Sequence, residues 1–137
     1  MATTIYITAL DRRRLELLAD TLAGKEYMDR YASMLMDVLD SAEVVTSEEI
    51  PTDVVTMNSR VRYADMTAHS TKEITLVYPE EADAVQGKVS VLSPIGNALL
   101  GMRVGQVGRL RLPHGGERAI RVLSIVYQPE AEGHLRT

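Results

Sequence analysis

The apolar residues of this chain change their spacing at Pro51. Before it, Leu15, Leu18 and Leu22 recur at helical intervals, and so do Tyr27, Tyr31, Met34, Leu35, Val38 and Ala42. After it they take every second place: Val61 and Tyr63, then Ile74, Leu76 and Tyr78, then Val89 and Val91, then Leu110 and Leu112. A helix repeats its face about every 3.6 residues and a strand every second residue, so each half is committed to one kind of element. Helices followed by strands, without alternation of the two, make an α+β chain.

Thr8 followed by Asp11 is a capping-box-like start for a first helix over 9–22, which stops before Gly24. The second helix runs from Tyr27 to near Glu43. The short join Ala23-Gly24-Lys25-Glu26 makes the pair an antiparallel hairpin, a short coiled coil with arms of roughly 20 to 25 Å. Helices of this length are not stable alone in water, so each must bury its stripe. Pro51 forbids a helix through it and holds Ile50 extended. The expected division is a hairpin over 1–45, a linker over 46–58 and a second domain over 59–137.

In the second domain five short strands are expected, mostly antiparallel because their connections are short, with one helix between the third and fourth. That helix is written in Ser93-Pro94-Ile95-Gly96-Asn97-Ala98-Leu99-Leu100-Gly101. Ser93 caps, Pro94 takes the first helical position, and Gly101 supplies the left-handed stop. Ile95, Ala98, Leu99 and Met102 form its apolar stripe, which should plug the sheet. In the last strand, Ile120 to Tyr127, the apolar phase slips after Val122, which calls for a bulge or for burial on both faces. The polar tail from Gln128 onward is expected to fray.

The chain has no Cys, Phe or Trp, so disulfides, thiol chemistry and an aromatic-walled pocket beyond its six Tyr are excluded. No apolar run reaches membrane-spanning length and the start lacks a signal-peptide pattern, which leads to the expectation of a soluble, cytoplasmic protein. Residues 1–50 carry five Lys/Arg against ten Asp/Glu, net −5, and residues 51–137 carry ten against nine, net +1. An acidic first third argues against general nucleic-acid binding and suits a basic protein partner. The Arg12-Arg13-Arg14 triplet fans around a helix instead of forming a patch. His69, His114 and His134 stand apart, with no ligand spacing between them, and no nucleophile elbow, phosphate loop or zinc-protease motif occurs. Asp20, Glu26 and Asp29 lie around the hairpin bend; they could hold part of a Mg²⁺ shell, although Lys25 opposes a cation, or simply be solvated.

The run Lys88 to Gly101, followed by Val104-Gly105 and the Pro113-His114-Gly115-Gly116 turn, resembles the C-terminal domain of the Gre transcript-cleavage factors. Pro51 to Val61, Thr75 to Pro79 and Tyr127 to Ala131 resemble one branch of that family, the regulators of nucleoside diphosphate kinase. The resemblance implies an FKBP-like domain behind the hairpin, and docking on bacterial RNA polymerase at the rim of its secondary channel. Gre hairpins carry an acidic pair at the tip that completes a Mg²⁺ site for RNA cleavage. Here the arms are shorter and that pair is missing, so the implied role is a non-enzymatic regulator, without cofactor, that competes with Gre factors.

On the same resemblance the polymerase contact falls on Leu92, Ser93, Pro94 and Ile95. Leu92 stands where the family has a polar residue, and either docking or ordinary packing accounts for it. The tip residues are Lys25, Glu26 and Asp29. Three rivals remain open: a true cleavage factor using Glu26 with Asp20 or Asp29, an effector of nucleoside diphosphate kinase, direct or indirect, and a prolyl isomerase, which the missing aromatics oppose. Neither sequence-specific nucleic-acid binding nor membrane binding is implied.

Overall fold

The computed structural model of the chain describes residues 5–22, 25, 29–112 and 115–133. A short strand β1 (Tyr6–Thr8) runs directly into α1 (Ala9–Leu22), and the switch is made by Thr8, whose Oγ1 accepts the Asp11 N–H at 3.0 Å. α2 (Asp29–Ser41) returns and is followed by β2 (Glu43–Val45). β1 and β2 pair in parallel, Tyr6 with Glu43 and Thr8 with Val45, and tie the open end of the hairpin. Neither strand was legible by alternation, because three residues are too few to display a period.

Leu15, Ala19 and Leu22 from α1 and Ala32, Leu35 and Leu39 from α2 are buried. They belong to one apolar cluster that also contains Val55, Leu76, Leu99 and Ile120, so the hairpin is packed into the second half of the molecule. The remaining strands are β3 (Arg60–Asp65), β4 (Ser70–Val77), β5 (Lys88–Ser90), β6 (Val107–Arg111) and β7 (Glu117–Tyr127), with α3 (Pro94–Leu99) between β5 and β6. They form one five-stranded sheet in the order β5-β4-β3-β7-β6. All its pairs are antiparallel except β4 with β5, as the expected α+β architecture requires.

The phase slip in β7 is a pair of bulges. Tyr63 faces Val122 and Arg62 faces Ser124, which leaves Leu123 over; Val61 faces Ile125 and Arg60 faces Tyr127, which leaves Val126 over. These two extra residues are 42% and 51% exposed, so burial on both faces is ruled out.

The expectation of a frayed tail from Gln128 is overturned for the described residues. Gln128 is buried, and its Nε2 donates to the carbonyls of Pro51 at 2.9 Å and Val54 at 2.8 Å. A polar side chain leaves water when two otherwise unserved carbonyls can receive it. The segment these bonds hold is itself part of the core: Ile50, Val54, Val55 and Met57 are buried, Val55 N–H donates to Met102 O at 2.8 Å, and Gly101 N–H donates to Val55 O at 2.9 Å.

Candidate functional site

α3 begins as its sequence dictates. Ser93 Oγ accepts the Gly96 N–H at 3.1 Å and its hydroxyl donates to Ser90 O at 2.7 Å, so the capping residue is locked to the end of β5. Pro94 follows at the first helical position. Gly101, at φ +82°, ends the turn, and a Cβ there would come within 2.9 Å of Ile5 Cβ. Gly96 is more restrictive still, since a Cβ would run into the carbonyl of Ser90. Leu99, Leu100 and Met102 are buried below, and Leu92, Ile95 and Ala98 are half-buried and packed against the same core. Leu92 is thus held from within, with its N–H on Ser90 Oγ at 3.0 Å.

Pro94 does not share that inward orientation. With Asn97 and Ala98 it forms one wall of a groove of about 520 Å³, whose other wall is α2, represented by Tyr31, Met34 and Val38. Arg30 and Arg109 contribute guanidinium groups to the lining and Asp37 a carboxylate. The exposed corner of α3 and the hairpin therefore meet in one surface, apolar along its floor and charged at its margins. Such a lining suits binding. Arg30, Tyr31 and Arg109 escaped sequence reasoning, because only tertiary packing brings α2 and β6 to the start of α3.

At the hairpin bend, Lys25 is exposed and its N–H closes on Leu22 O at 3.1 Å. Asp20 is exposed on α1. Glu26 lies outside the described residues, as does the side chain of Asp29 at the start of α2. His69 sits in the β3–β4 turn at φ +55°, and His114 and His134 lie outside the described residues. Among the described residues no three His, Cys, Asp or Glu side chains gather as a metal site.

A second polar assembly, missed by the sequence reading, lies where α1 meets the segment after Pro51. Asp11 is buried and its Oδ2 accepts the Met57 N–H at 3.1 Å. Burial pushes its carboxyl up to about 7, against the pull of the Met57 N–H, with the Glu130 carboxylate adding to the rise. Burial also raises the phenol of Tyr78, and the neighbouring Asp11 adds to that effect. The signal was present in the sequence: Asp11 lies four places before Leu15 and eight before Ala19, on the stripe that faces the core.

The family model for "Transcription elongation factor, GreA/GreB, C-term" matches residues 50–127, which include the capped α3 and every strand of the five-stranded sheet. The chain belongs to the GreA/GreB family. It is 40% identical over 132 residues to the "Regulator of nucleoside diphosphate kinase" of Escherichia coli (strain K12), across 95% of this chain and 94% of that protein. It is 41% identical over 83 residues to "Transcription elongation factor GreA" of Chloroherpeton thalassium, across 61% of this chain but only 52% of that protein. A solved structure, "Prokaryotic transcription elongation factor GreA/GreB from Nitrosomonas europaea", matches with a TM-score of 0.70 at 38% identity, covering 92% of this chain and 100% of that one. Within the GreA/GreB family the chain therefore resembles short members along their whole length and the longer GreA over about half. No helix among the described residues is long and apolar enough to cross a membrane.

Proposed function

We propose that this chain is a regulator that docks on bacterial RNA polymerase at the rim of the secondary channel and competes there with Gre factors without promoting RNA cleavage. The corner Leu92, Ser93, Pro94 and Ile95 makes the contact, and Pro94 leads it. The observation that carries this reading is the position of Pro94 in a groove shared with α2, where one partner surface can meet the corner and the hairpin together. Leu92 and Ile95 act by supporting the corner from below, and Ser93 by fixing its start. In this division of labour 1–45 is the hairpin, 46–58 the linker and 59–137 the docking domain.

Absence of cleavage follows from reach and chemistry. α1 has 14 residues, a rise of about 21 Å, and the bend offers Lys25 where a cleavage factor needs paired acids. The residues Glu26 and Asp29 then serve no metal. The partner is protein, without sequence-specific contact to nucleic acid and without a membrane, and the setting is the cytoplasm. The link to nucleoside diphosphate kinase in a relative's name is read as indirect, through transcription.

The test is binding of the full-length chain to core RNA polymerase. Pro94→Glu and Arg30→Glu should each weaken it about tenfold or more, as for residues at the centre of an interface, while thermal unfolding is nearly unchanged. No binding by the wild-type chain, or equal binding by both variants, would overturn the reading.

A further inference from the structure

The residues that follow β7 are joined to the hairpin by a continuous series of hydrogen bonds. Gln128 Nε2 holds the carbonyls of Pro51 and Val54. Its two neighbours are both acceptors, so the amide nitrogen must face them. Two residues on, Glu130 Oε1 accepts the hydroxyl of Thr56 at 2.7 Å. The Thr56 hydroxyl has one proton and spends it there, so the Ser59 hydroxyl, 2.8 Å away, donates to Thr56 Oγ1 while its oxygen accepts the Thr56 N–H at 3.0 Å. The next amide, that of Met57, donates to Asp11 on α1. Thr56, Ser59, Gln128 and Asp11 are all buried. A buried network in which each donor is served holds one geometry, because breaking any link strands a polar group away from water.

We infer that the post-β7 segment, through Gln128 and Glu130, is a positioning strap that fixes the hairpin relative to α3 by holding the segment on which α1 docks. Neither residue lines the groove between α2 and α3, so both act through others. They also lie beyond the part of the chain that matches the GreA/GreB model, which ends at residue 127. Apolar packing keeps the hairpin attached; the strap selects its angle, since packing is non-directional and hydrogen bonds are not. The consequence for competition rests on the docking function proposed above, whereas the consequence for geometry does not.

The chain has no cysteine, so Ser33→Cys on α2 and Lys72→Cys on β4, both exposed, give two unique spin-label sites in the full-length protein. The labelled parent should show one narrow distance. Gln128→Ala with Glu130→Ala should broaden or split it, and Glu130→Ala alone should do so to a lesser degree if the double variant fails to fold. Glu130→Gln, which keeps an acceptor for Thr56, should restore the narrow distance. If only about a tenth of the variant molecules hold the docking angle, the concentration needed to compete with a Gre factor should rise about tenfold. A folded Glu130→Ala or double variant with the parental distance overturns the strap. A broadened distance alongside a parent that never competes upholds the strap and removes the docking function instead.

Discussion

Asp11 carries the clearest consequence of a single residue's surroundings. Its carboxyl titrates near 7 in the folded chain against an ordinary 3.8, so between these values the folded state binds more protons than the unfolded one. Stability is then greatest below about pH 4, declines as pH rises through the folded value, and is flat above it, with a total loss of up to about 4 kcal/mol. Asp11→Asn keeps an acceptor for the Met57 N–H and cannot ionise. Urea unfolding at pH 5 and pH 8 should show wild type weaker at the higher pH and Asp11→Asn nearly equal at both; the same slope in both proteins would refute the assignment. At α3 the glycine and the cap separate two kinds of cost. Ser93→Ala removes one capping bond and should lower stability by about 1 kcal/mol. Gly96→Ala sets a Cβ against the Ser90 backbone, which cannot yield as a side chain could, and should lose about 3 kcal/mol or more. Thermal unfolding of the two variants tests the order. Ser93, Pro94 and Gly101 were legible in the sequence because capping is local chemistry. Gly96 was not, because the approach of α3 to β5 is a tertiary event.

The helices and strands were legible in proportion to their length. α1 spans Ala9–Leu22 as its spacing predicts, and β3, β4, β6 and β7 fall where alternation places them. The three-residue strands β1 and β2 left no periodic trace, and the ribbon they form was invisible. In β7 the slip in phase was visible but its cause needed the register, which assigns Leu123 and Val126 to bulges. The hairpin was read correctly as an element that cannot stand alone. Ile7, Leu15, Leu35 and Leu39 are buried in a cluster shared with Val55, Leu99 and Leu100. The isolated segment 1–45 should accordingly give little helical circular dichroism in water; a strongly helical spectrum would show that the hairpin is held by its own contacts.

At the scale of the whole molecule, membership of the GreA/GreB family supplies the type of partner, and the geometry supplies the manner of engagement. A short hairpin, a Pro94 corner opening on a groove shared with α2, and a strap that fixes one against the other together describe a protein that occupies a docking site. The sequence foretold the corner through its cap but not the groove, since Arg30 and Arg109 lie far apart in the chain. The most direct measurement uses stalled RNA polymerase with backtracked RNA and a limiting Gre factor, to which this chain is added in increasing amounts. The account predicts that release of 3′ fragments falls towards the level without Gre factor, and that the chain alone releases none. Unchanged cleavage at saturating protein, or cleavage by the chain itself, would contradict it.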